Sequence, residues 1–130
     1  MYKCDDEIFE KYVIEAYNKI PKFFLKKIDN VEIVIEDEPN DNNKGFLLGL
    51  YSGIPLNKRN TAYGMYPITP DLILLFKKNI QKVVNSEEEL KSKIFEVLYH
   101  EIGHYFGMNE IEIRESMKNY HLNKFEWVYT

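Results

Sequence analysis

Cysteine is almost missing from this chain. Cys4 is the only one in 130 residues, so no internal disulfide can form, and a reducing cytoplasm is the expected setting. The opening segment Met1-Tyr2-Lys3-Cys4-Asp5-Asp6-Glu7 lacks the apolar stretch of a signal peptide. Long hydrophobic runs are missing too: Leu72-Ile73-Leu74-Leu75-Phe76 falls far short of the ~20 residues needed to cross a bilayer, so no membrane association is expected. Positive charge is not in excess. The formal net charge is -4 and the pI about 5.4, which argues against a phosphate backbone, and hence nucleic acid, as partner. Internal repeats, low-complexity tracts and a glycine-rich phosphate loop are absent from the sequence, and no Ser or Cys stands in a recognisable nucleophile motif. Cys4 reads as a near-terminal bystander. The acidic run Glu87-Glu88-Glu89 reads as a solvated helix start rather than a pair of glycosidase carboxylates.

What the chain does have is apolar material. Hydrophobic residues make up 45%, with ten Tyr and eight Phe, enough to fill one core, so a monomeric single domain spanning residues 1–130 is expected. Ile8, Tyr12, Ala16 and Ile20 recur every four residues and predict an amphipathic helix over 7–20 that Pro21 ends. Val31 to Glu36 predicts a β-branched strand, followed by a loop over 37–45 dense in turn formers. Phe46 to Tyr51 predicts a second strand; Gly49, Gly53 and Pro55 weaken it and favour a sheet edge or a bulged exit. Asp71 to Phe76 predicts a third, buried strand, and residues 79–84 a short helical turn. Ser86 followed by Glu89 has capping-box spacing and opens a long helix to about Phe106, with Gly107 at the left-handed C′ position. Residues 111–120 predict a last helix, before the apolar tail Phe125-Glu126-Trp127-Val128-Tyr129.

The long helix carries His100-Glu101-Ile102-Gly103-His104. Histidines four apart lie one turn apart on one face, so their rings can converge on one ion at roughly 2.0–2.1 Å, the usual zinc–imidazole distance. Glu101, about 100° around the helix, flanks such an ion without ligating it and can reach a water there. The plainer reading, two ordinary helix histidines, is weighed by the wheel: Ile94, Phe95, Leu98, Tyr99, Ile102 and Phe106 form the apolar stripe, and His100 and His104 point nearly opposite its centre. Gly103 is read either as simple tolerance or as close approach of helix to sheet. The turn at Gly107 can bring Glu110 back as a third ligand, the favoured reading over its serving as an acidic residue at the start of the next helix. Glu112, Glu115 and His121 stay open as alternatives.

The run His100 to Glu110, read as H-E-x-x-H-x-x-G-x-x-acid, resembles the extended motif of the minimal zincin-like family of small bacterial proteins, related to the metzincins and associated with zinc metallopeptidase activity. Pro21, the segment Asp29 to Pro39, and Leu48-Gly49-Leu50-Tyr51-Ser52-Gly53-Ile54-Pro55-Leu56 with Arg59 are similar to that family's pattern in the same order, covering roughly residues 9–115. The resemblance implies an α+β zincin-like fold: a mixed or antiparallel sheet of three to four strands, packed with the active-site helix and an N-terminal helix. It puts Glu110 at the third metal-ligand position, where the family usually carries Asp and metzincins carry His. It implies no Met-turn, so Met108 and Met117 are expected to be packing residues.

The expected function is zinc-dependent hydrolysis of peptide bonds, with Zn2+ on His100, His104 and Glu110 and Glu101 as general base. The alternative is a zinc-binding interaction module without catalysis. The expected substrate is a peptide or protein lying along the strand near Leu47 to Tyr51. Tyr105, Arg59, Arg114 and His121 are all candidate oxyanion donors, and the tail 125–129 is expected near the cleft.

Overall fold

The computed structural model of the chain describes residues 1–40, 45–59 and 69–121, with residues 120 and 121 described by backbone alone. Helix α1, Asp6–Lys19, starts where the Asp5 carboxylate accepts the Ile8 N–H at 2.9 Å. It stops where Pro21 forces Ile20 into an extended conformation, φ -61° and ψ 137°. Its buried stripe is Phe9, Tyr12, Val13, Ala16 and Ile20, while Ile8 is exposed. The four-residue repeat therefore predicts the helix but centres its apolar face one residue off, because Phe9 and Val13 carry more apolar area than Ile8 can bring to the same face.

After the short helix α2, Lys22–Leu25, come β1, Val31–Glu36, and β2, Gly49–Ser52; a 3-10 turn covers Leu56–Lys58. Strand β3, Asp71–Phe76, then runs directly into α3, Lys77–Lys82. The sheet order is β1-β3-β2, with β1 parallel and β2 antiparallel to the central β3. The sheet is mixed and three-stranded; a fourth strand is not found among the described residues. Ile73, Leu75 and Phe76 of β3 are buried, as a strand with neighbours on both sides demands.

Helix α4, Glu87–Tyr105, crosses the sheet and packs against α1. Its start is a variant of the capping box: Ser86 Oγ accepts the Glu89 N–H at 3.1 Å, and the Glu89 carboxylate reaches one residue further back to accept the Asn85 N–H at 2.5 Å. Leu90, Ile94, Phe95, Leu98, Tyr99 and Ile102 are buried, so the predicted stripe is the one that packs. Tyr12 donates to Glu87 at 2.7 Å, tying α1 to the first turn of α4. Helix α5, Glu110–His121, closes on α4 through Ile113 and Met117, both buried. Met117 is thus a packing residue, and Met108 packs against the edge of the core. The tail 125–129 lies outside the described residues. No described helix is long and apolar enough to cross a membrane.

Candidate metal centre

The site is made by the way α4 ends. Gly107 adopts φ +82°, its N–H donates to His104 O at 2.9 Å, and the Met108 N–H donates to Gly103 O at 3.0 Å. These two bonds are a Schellman motif, which reverses the chain and satisfies the last carbonyls of the helix. Asn109 then caps α5: its side chain accepts the Glu112 N–H at 2.8 Å, and Glu112 accepts the Asn109 N–H at 3.0 Å. Glu112 is consumed by this reciprocal cap, and Glu115 pairs, among the described residues, with Lys118 on its own helix at 3.8 Å. Glu110, first residue of α5, is left facing α4.

Gly103 lets α5 come this close. A Cβ there would sit 2.5 Å from Ile113 Cγ1, so the close approach is to helix α5 and not to the sheet. The helix–sheet approach is instead made at Gly49 of β2, where a Cβ would lie 2.6 Å from Val97 Cγ1 and 3.0 Å from the Leu74 carbonyl. Substitution at either position would require one element to retreat.

Three donor atoms converge as a result. His100 Nε2 and His104 Nε2 are 3.0 Å apart, and Glu110 Oε1 is 3.1 Å from the first and 3.2 Å from the second. The rings are tilted at 68°, and the three side chains are about one-third to one-half exposed. Lone-pair atoms packed this closely need a proton or a cation among them. In a tetrahedral zinc site with bonds of 2.0–2.1 Å the donors are separated by about 3.3–3.4 Å, so these three atoms fit three corners within a few tenths of an ångström. The donor types fit as well, since two neutral imidazoles and one carboxylate leave a net charge of -1 to meet a divalent ion. Burial draws His100 below its ordinary pKa, Glu110 opposes that, and His104 adds to it. A neutral ring is the form that ligates.

Glu101 is only 8% exposed, although it borders the same cleft. Burial raises its pKa to about 7, the Tyr51 backbone N–H donated to its carboxylate opposes the shift, and nearby Glu110 adds to it. That N–H is available because of strand register. The Phe76 N–H donates to Leu48 O at 3.0 Å, so Leu48 and Leu50 turn their peptide groups toward β3, while Gly49 and Tyr51 turn theirs outward, toward α4. A cleft of about 490 Å³ runs along this outer edge, lined by Leu50, Pro55 and Lys58 opposite His104 and Glu110. A second trough of about 250 Å³, between Phe46 and the Lys93–Glu96 pair, continues it past His100.

Of the four candidate oxyanion donors, two are engaged elsewhere. Tyr105 is fully buried, with its hydroxyl bonded to the Asp29 backbone. Arg59 holds Asp71 at 2.7 Å with both side chains nearly buried. Arg114 is exposed on α5, and the side chain of His121 lies outside the described residues. Sequence reasoning overlooked Tyr51 and Asp71. The available signal was an acidic residue opening an otherwise apolar strand, which calls for a buried cationic partner.

The fold is shared with a conserved hypothetical protein from T. thermophilus, at 20% identity and a TM-score of 0.53, over 79% of this chain and 94% of that one. No curated protein sequence matches the chain. The model of the zincin-like metallopeptidases matches residues 28–119, which takes in the whole sheet, α4 and nearly all of α5 and leaves α1 outside. With that match covering most of its length, and with two histidines and a carboxylate gathered where α4 turns into α5, the chain belongs to the zincin-like metallopeptidase family.

Proposed function

We propose that the protein is a zinc-dependent peptidase that holds its ion through His100, His104 and Glu110 and uses Glu101 as general base. The observation that carries this reading is the convergence of three donor atoms at 3.0–3.2 Å beside a buried carboxylate. Zinc at such a centre supplies Lewis acidity, which polarises a carbonyl and acidifies water. Glu101 takes the proton of the attacking water on its carboxylate and delivers it to the departing amide nitrogen. Burial of this carboxylate favours its uptake of that proton. The Tyr51 N–H, donated to this carboxylate, restrains its orientation. The outward peptide groups of Gly49 can pair with an extended substrate lying in the cleft, so a peptide or an unfolded protein segment is the proposed substrate.

The test compares zinc-loaded wild type with Glu101→Gln on a mixture of peptides. Wild type cleaves, and the variant binds zinc with similar affinity but loses about two orders of magnitude or more in turnover. Zinc binding without cleavage by wild type would sink the peptidase reading and favour a binding module.

A further inference from the structure

A second pair of charges with almost wholly buried side chains stands behind the site. Asp71 opens β3 with its side chain 5% exposed, and Arg59, 6% exposed, donates to Asp71 Oδ2 at 2.7 Å. Several other contacts of this pair go to the segment that walls the cleft. Tyr51 donates its hydroxyl to the same oxygen at 2.5 Å, and the Ile54 N–H approaches Asp71 Oδ1 at 3.4 Å. Gly53 packs directly on the Asp71 carboxylate, leaving no room for a Cβ. Arg59 spreads its remaining donors over Ile54 O at 3.0 Å and Asp29 O at 3.1 Å, with its guanidinium 5.0 Å above the ring of Tyr105, the residue after His104.

Burying an ion pair rarely adds net stability, because desolvation offsets the attraction, so what such a pair does is fix geometry. Here the fixed geometry has a specific endpoint. Tyr51 is held by its hydroxyl on one side of the strand, and its backbone N–H meets the Glu101 carboxylate on the other. The segment 53–59 is held by Arg59, and its Asn57 packs against the Gly107 turn that leads to Glu110. We infer that Arg59, Asp71 and Tyr51 form a positioning network that aims the Tyr51 N–H at Glu101 and so sets the orientation of that carboxylate, without supplying a metal ligand. The inference rests on the peptidase reading for its effect on turnover, but the positioning itself is a property of the folded chain.

Two variants test it, each sparing the Asp71 charge: Tyr51→Phe removes the hydroxyl, and Arg59→Lys keeps the positive charge but loses the fork. Hydrogen exchange of the residue-51 amide is followed by NMR on the chelated protein, with the amides of Leu98 and Ile73 reporting the core. The network predicts that exchange at residue 51 speeds up about tenfold or more in both variants, as it does in Glu101→Ala, while the core amides move much less. Zinc affinity stays within about threefold of wild type, because no ligand belongs to the network, whereas kcat falls about 10–100-fold with KM changed far less. Unchanged protection at residue 51 in either variant, or loss only in step with the core amides, would overturn the inference. A wild type without turnover would remove the peptidase reading and leave the amide measurement to decide the positioning.

Discussion

The two halves of the site are built in opposite ways. The donor half, His100, His104 and Glu110, is close in sequence and one-third to one-half exposed, and it is shaped by one helix end and the turn after it. The supporting half, Tyr51, Asp71, Arg59, Asp29 and Tyr105, is drawn from separate stretches of the chain, with its central ion pair almost wholly buried. The difference teaches that binding a metal and orienting a base are separable demands here. The first needs donors that reach outward and costs the fold little. The second needs a rigid edge strand, and the fold supplies it with the expensive device of a buried charge pair.

If the halves are separable, variants should split along the same line. His104→Ala is the largest expected effect on the donor side. Zinc affinity falls on the order of 10³-fold, about 4 kcal/mol, whereas unfolding in the presence of chelator changes by no more than about 0.5 kcal/mol because the ring is one-third exposed. Competition with a chromophoric chelator measures the first and urea denaturation the second; a large stability loss in chelator would show that the donors also hold the fold.

Asp71→Asn should behave in the opposite sense. It removes the buried counter-charge of Arg59, leaving the exposed Asp29 carboxylate at 3.6 Å, and costs about 3 kcal/mol, toward the low end for a broken buried pair because Asn keeps an acceptor. Urea denaturation reads this directly. Zinc affinity of the folded variant should stay near that of wild type, and a parallel loss of affinity would join the two halves again.

Gly49→Ala sharpens the boundary between them. The added methyl would meet Val97 and the Leu74 carbonyl, so β2 must shift away from α4 at a cost of about 2 kcal/mol. The shift carries Tyr51 away from Glu101, so turnover falls further than zinc affinity. A variant as stable as wild type would mean that the helix–strand contact is looser than the structure has it.

The same division explains what could be read in the sequence. The donor half follows short-range rules: histidine spacing, the capping box at Ser86, and glycine at C′ predict α4, its end and the return of Glu110. Strands β1 and β3 match their predicted limits because β-branched and apolar runs with turn formers on either side leave little choice. What was not legible depends on contacts far apart in the chain. Helix α2 is four residues long and follows Pro21 with no side-chain cap. Strand β2 begins at Gly49 and not at Phe46, because its limits are set by pairing with β3 and not by its own composition. The competition among Glu110, Glu112 and Glu115 turns on the Asn109 cap, which claims Glu112. The role of Arg59 requires Asp71 to be beside it, and no spacing rule connects a loop arginine to the first residue of a later strand.

The central claim is that three named side chains hold one zinc ion. Calorimetric titration of the chelator-stripped protein with zinc tests it most directly, with Glu110→Ala and Glu115→Ala run beside wild type. One ion per wild-type chain is predicted, with affinity weakened at least about tenfold by Glu110→Ala and unchanged by Glu115→Ala. Wild-type affinity in Glu110→Ala, or an equal loss in both variants, would contradict the account.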